Sequence, residues 1–129
     1  MKKIITLCLM AVMGCMAAFA DGARMDLIEK SHDFGTIREK DGVVSYEFEF
    51  VNKGDEPLLI MSAKASCGCT VPIYPKHPIA PGKGGKIKVS YNPAGRPGEF
   101  SKTVRVKTNV PGKEKNTVLR ISGTVVPRK

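Results

Sequence analysis

Apolar and polar residues alternate with a period of two along several short stretches of this chain, the signature of half-buried β-strands. The clearest stretch runs from Val43 to Val51. There Val44, Tyr46, Phe48 and Phe50 point one way, and Ser45, Glu47 and Glu49 point the other. Lys86 to Asn92 repeats the pattern, with Ile87, Val89 and Tyr91 inward and Lys86, Lys88 and Ser90 outward. Lys102 to Thr108 sets Val104 and Val106 inward, Arg105 and Lys107 outward. Thr117 to Val125 gathers Leu119, Ile121 and Val125 on one face. Leu58 to Ala63 is apolar on both faces, which predicts a central strand. Met25, Leu27 and Ile28 predict a first edge strand, whereas Phe34 and Ile37 alternate poorly around Gly35.

Turn residues separate these stretches: Asp41-Gly42, Asn52-Lys53-Gly54-Asp55, Pro81-Gly82, Pro93 to Gly98, and Val110 to Lys113. In the second of these, Asn and Gly are expected to supply the positive φ of a tight turn. Residues 71–85 are rich in proline and glycine and predict loop, with at most a short edge strand. No segment spaces its apolar residues by three and four over ten positions, so no long helix is expected. The pattern predicts an all-β, immunoglobulin-like antiparallel β-sandwich of about seven strands. In such a fold Val43–Val51 lies beside Lys86–Asn92. Glu47 and Glu49 then face Lys86 and Lys88, each exposed pair contributing roughly 0.2–1 kcal/mol.

The amino terminus changes the picture. Met1-Lys2-Lys3 precedes an apolar run from Ile4 to Met13 and small residues through Ala20, with Ala18-Phe19-Ala20 as the small-x-small element. This is the layout of a secretory signal peptide over residues 1–20, cleaved after Ala20. The apolar core is shorter than the ~20 residues that span a bilayer. Val12-Met13-Gly14-Cys15 offers an alternative, a lipid anchor at Cys15 of an outer-membrane lipoprotein. The remaining 109 residues (129 − 20), 21–129, suit one domain. The expected compartment is the periplasm or the exterior.

Charge is uneven. Residues 21–75 carry six Lys/Arg and ten Asp/Glu, and residues 76–129 carry thirteen and two, so −4 and +11 add to +7. Pairing of the first half against the second leaves a smaller basic face, with Arg96, Lys102, Arg105, Lys107 and Arg120 as its contact residues. Aromatic residues are not interleaved with these cations and the chain has no Trp, which argues against single-stranded nucleic acid. An anionic envelope polymer or an unknown protein is the expected partner.

Several motifs resemble chemistry in letters alone. Gly85-Lys86 has Ala80 where a phosphate loop requires glycine and Ile87 where it requires Ser or Thr. Asp33-Phe34-Gly35 lacks every other part of a kinase. His32 and His77 are the only histidines, and no serine sits on a nucleophile elbow, so no catalytic residue and no cofactor is predicted. Cys67-Gly68-Cys69 remains open to four arrangements: an intrachain disulfide, a soft-metal site for Cu(I) or Zn joined by His77, an interchain disulfide, or two buried thiols. Gly68 is expected to bend the backbone so that the sulfurs meet.

Asp33-Phe34-Gly35-Thr36-Ile37, the run from Phe48 to Ile60, Ser66-Cys67-Gly68-Cys69-Thr70, Ala80-Pro81-Gly82, Tyr91-Asn92-Pro93 and Arg96-Pro97-Gly98 together resemble a bacterial domain-of-unknown-function family, number 1573. The resemblance covers Phe34 to Val125. It implies an exported immunoglobulin-like domain, similar to Hydin-type and major-sperm-protein sandwiches that serve as binding or scaffold modules, and it transfers no catalytic residue. The expected function is a non-enzymatic binding or assembly module of the cell envelope. The alternative is a thiol–disulfide or Cu(I)/Zn-handling protein built on Cys67 and Cys69.

Overall fold

The structure is a computed structural model that describes residues 22–127. The expected signal peptide and the alternative anchor at Cys15 lie outside the described residues. Eight strands run in order: β1 (Met25–Leu27), β2 (Ser31–Arg38), β3 (Val44–Asn52), β4 (Ile60–Ala65), β5 (Thr70–Ile73), β6 (Gly84–Tyr91), β7 (Gly98–Thr108) and β8 (Asn116–Val126). Single 3-10 turns occupy Glu39–Asp41 and Gly112–Lys115. Two four-stranded sheets, β1-β3-β6-β5 and β2-β8-β7-β4, pack face to face. The fold is the predicted immunoglobulin-like β-sandwich. Among the described residues no helix is long and apolar enough to cross a membrane.

Alternation explains the core. Phe48, Phe50, Ile87, Val89 and Tyr91 from one sheet meet Val104, Val106, Leu119, Ile121 and Val125 from the other, all at most 1% exposed. Tyr91 stacks on Phe100 across the two layers at 4.0 Å between centroids. His32 stacks on Tyr46 at 3.7 Å, joining β2 of one sheet to β3 of the other. The β3–β6 ladder has the expected partners, Glu47 opposite Lys88 and Glu49 opposite Lys86. Lys86 Nζ also lies 3.5 Å diagonally from Glu47 Oε1.

Three details depart from the sequence expectation. The stretch that alternated poorly is a full strand, β2, and it pairs with β8 in parallel. Its register shifts between Asp33 and Thr36, where Gly35 adopts φ 72° and its N–H donates to Asp33 Oδ1 at 2.8 Å. A bulge there inserts one residue and breaks the period of two. Second, β4 is an edge strand, not a central one, and a bulge at Met61 shifts its register.

Third, the Asn52 turn works by side-chain bonding instead of positive φ, which no non-glycine residue adopts among the described residues. Asn52 is fully buried. Its Nδ2 donates to the carbonyls of Glu56 (2.7 Å) and Ile79 (2.9 Å), and its Oδ1 accepts from Arg24 (3.2 Å) and Gly54 (2.9 Å). Gly54 is required by proximity: a Cβ there would lie 2.1 Å from the Gly22 carbonyl oxygen. One amide thus ties three chain segments together.

Candidate functional site

The chain leaves β4 at the edge of one sheet and enters β5 at the edge of the other, and Cys67-Gly68-Cys69 forms the corner between them. Cys67 and Cys69 are joined in a disulfide with a Cα–Cα distance of 5.4 Å. Thr70 N–H donates to the Cys67 carbonyl at 3.2 Å, and Asn92 N–H to the Cys69 carbonyl at 2.9 Å, so backbone bonds bracket the bond on both sides. Cys69 is buried against the core and Cys67 is half-buried. Gly68 does not carry a positive φ, and a Cβ on it would meet nothing within 4 Å. The corner therefore does not depend on glycine, contrary to the expectation that Gly68 brings the sulfurs together.

His77 lies exposed on the β5–β6 loop. Among the described residues no three His, Cys, Asp or Glu side chains gather into a metal-holding group, so His77 is not brought into a ligand set with the two sulfurs. His32, the other imidazole, packs between Phe34 and Tyr46.

The basic residues divide. Arg105 and Lys107 on β7 and Arg120 on β8 share the outer, solvent-facing side of the β2-β8-β7-β4 sheet, as alternation predicts. Lys102 does not join them. It falls on the parity of Phe100 and Val104, opposite Ile121, and is half-buried at the inward side of β7. Arg96 does not join them either. It sits on the β6–β7 loop with Nη1 on the Ala94 carbonyl at 3.1 Å.

A residue outside the predicted set completes the face: Lys64 on β4, directly opposite Arg105. It escaped sequence reasoning because Leu58–Ala63 reads as a central strand that ends before it. In the β4–β7 ladder Ser66 N–H donates to the Thr103 carbonyl at 2.9 Å. Two residues on, Lys64 and Arg105 therefore form a hydrogen-bonded pair, with Cα atoms about 5.5 Å apart. Neither makes an ion pair among the described residues; those shown join Arg38 to Asp41, Lys53 to Asp26 and Lys86 to Glu47. Like charges directly opposite one another destabilise a sheet. Two shallow depressions flank the pair. One is lined by Lys64, Ala65, Ser66, Thr103, Arg105 and Val118, the other by Ser62, Lys64, Arg105, Lys107 and Asn116. Lys64 and Arg105 belong to both.

The family model described as protein of unknown function (DUF1573) matches residues 25–125. The chain belongs to the DUF1573 family. No curated protein matches this DUF1573 sequence. Among solved structures it is similar to a protein of unknown function from Porphyromonas gingivalis W83, with a TM-score of 0.69 at 15% identity over 86% of this chain and 51% of that one. The chain thus spans about half the length of that structure. It is also similar to the ASH/PapD-like domain 7 of human CEP192, with a TM-score of 0.62 at 14% identity over 81% of this chain and 87% of that one. The E. coli chaperone DraB gives 0.54 at 15% identity over 84% and 57%. At these identities the likeness is one of fold alone: this DUF1573 domain is an immunoglobulin-like sandwich.

Proposed function

We propose that this chain is an exported, non-enzymatic binding or assembly module of the bacterial cell envelope, and that it binds through the outer face of the β2-β8-β7-β4 sheet. One observation carries the reading: Lys64 and Arg105 stand directly opposite each other with no acidic partner in an ion pair among the described residues. That arrangement costs stability in the free protein and is relieved by an anionic partner. The positioning of His32 in an aromatic stack and of His77 on an exposed loop supports a non-catalytic role. Export is supported by the layout of residues 1–20 and by the Cys67–Cys69 disulfide, a bond that persists in oxidising compartments.

The test is retention of envelope components on immobilised protein, compared with the Lys64→Glu/Arg105→Glu variant. Components held by the native face and released by charge reversal are the expected result. An identical retained set in both would sink the reading.

A second reading, thiol–disulfide exchange, is favoured by the half-buried position of Cys67 beside a buried Cys69. A protein dithiol would attack Cys67 Sγ, the S–S bond would break, and Cys69 would leave as a thiolate and take up a proton. The second thiol of the donor would then resolve the mixed disulfide, leaving both cysteines reduced and the donor oxidised. A reduction potential below about −300 mV would mark the bond as structural and remove this reading.

A further inference from the structure

The two depressions that share Lys64 and Arg105 form one shallow track along the strands. On β7 the outward positions Thr103, Arg105 and Lys107 recur at about 7 Å intervals, so the track is about 13 Å long. Arg120 stands opposite Thr103 on β8, with its Nη1 on Ser101 Oγ at 2.9 Å. The cations are therefore staged: Lys107 at one end, the Lys64–Arg105 pair in the middle, Arg120 at the other end. Between them the lining is hydroxyl and amide, from Ser62, Ser66, Thr103 and Asn116. The one large apolar side chain among the residues lining the two depressions is Val118, 46% exposed and opposite Arg105.

We infer that this track binds a linear acidic polysaccharide, one chain laid along the strands with its carboxylate or phosphate groups at the staged cations. The inference rests on the binding face proposed above and names its ligand. Three features select this chemistry. The backbone groups of β7 and β8 are committed to the ladders and β4 is open only along its outer rim, so an extended peptide lying on the face above β7 gains no main-chain pairing. Protein partners anchor through buried aromatic and aliphatic side chains in pockets, and a single valine on a flat surface offers none. A hydroxyl-rich lining with separated cations matches a ligand that carries its own hydroxyls and spaced anions. Without an aromatic platform the track has little hold on neutral sugar, so charge carries the affinity and salt weakens it.

Length dependence follows from the staging. A uronate monomer engages one stage, and an oligomer long enough to span about 13 Å engages all three. The probe is a linear galacturonate oligomer of about ten units, titrated calorimetrically at low ionic strength against the full chain. The expected result is saturable binding of the oligomer, no binding of the monomer, and loss at high salt. Arg105→Glu places a carboxylate opposite Lys64. It is expected to melt at or above the native temperature while weakening the oligomer at least about tenfold. Lys83→Glu, the same change in net charge on the β5–β6 loop, is expected to leave binding intact.

Absence of oligomer binding at low salt overturns the inference, as does equal binding by Arg105→Glu. Tighter binding of a glutamate decapeptide or of phosphatidylglycerol vesicles also overturns it, transferring the face to a protein or lipid ligand. These outcomes leave the binding face standing if charge reversal still releases an envelope component. If it releases none, the face itself falls.

Discussion

Asn52 shows how much a single buried amide can hold. Its four hydrogen bonds satisfy groups on Arg24 just before β1, on the following turn and on the loop beside Leu58. Replacing it with alanine orphans the buried Ile79 carbonyl and three partly buried groups, and Asn52→Ala is expected to cost about 3 kcal/mol in chemical denaturation, far above a surface substitution. Tyr91 carries a different signature. Burial raises its phenol above the ordinary 10.0, with Arg96 opposing. The unfolded chain then ionises first, so this stabilisation is complete below about pH 10 and declines as pH rises through the higher folded value. The hydrogen bond with Glu29 raises Tyr46 in the same sense. Tyr91→Phe is expected to flatten the alkaline limb of stability against pH, which urea titrations across that range would read. An unchanged limb would mean that Tyr91 ionises alike in both states.

Strands were legible in the sequence wherever the period of two ran unbroken. β3, β6, β7 and β8 announced both their faces and, through Glu47, Glu49, Lys86 and Lys88, one ladder. β2 was hidden because the Gly35 bulge interrupts its alternation, and its parallel partner lies at the opposite end of the chain. β4 was misplaced because Met61 bulges out of register and made an edge strand look apolar on both sides. The same error hid Lys64, since its role arises only when β4 is set against β7. Arg105, Lys107 and Arg120 needed nothing beyond parity, and parity also turns Lys102 away from them. No local pattern marked the corner disulfide over its alternatives, because what sets it is the passage between sheets.

β5 carries a protection of its own. The Asn92–Cys69 bond and the ladder register turn the N–H groups of Val71 and Ile73 toward β6, leaving Thr70 and Pro72 facing the open rim. Thr70 N–H is spent on the Cys67 carbonyl and Pro72 has none, so within β5 the rim offers no free donor to another strand. Val71 and Ile73 are nonetheless 51% and 56% exposed on the adjacent face. Pro72→Thr restores a donor beside them and is expected to promote edge-to-edge association, visible as concentration-dependent light scattering. A variant that stays monodisperse would show that the rim is guarded by something other than the proline.

Across the whole molecule the charge imbalance resolves into two unlike faces. The outer side of β3 and β6 pairs glutamates with lysines and is nearly neutral, whereas the opposite outer side leaves Lys64, Arg105, Lys107 and Arg120 together. Integrity does not hinge on the sulfurs. Closing so short a loop contributes about 1.6 kcal/mol in the chain-entropy account, small beside the burial of two full sheet faces. Reductant is therefore expected to lower the melting temperature by less than about 10 °C and to leave one cooperative transition. Loss of that transition would show that the corner is essential to the fold.

The parallel pairing of β2 with β8 also sets how this domain carries mechanical load. The entry of β2, at Ser31, lies beside Arg120, and its exit, at Arg38, lies beside the end of β8 at Val126. Tension entering through the start of β2 and leaving through the end of β8 pulls the two neighbours past each other lengthwise. Their hydrogen bonds are then strained together in shear instead of opening one after another like a zipper. Three-residue β1 would peel first, and the β2–β8 seam would take the strain after it. A domain strung between two anchored points would give way abruptly at this seam, and a sandwich with antiparallel terminal strands would yield in small steps.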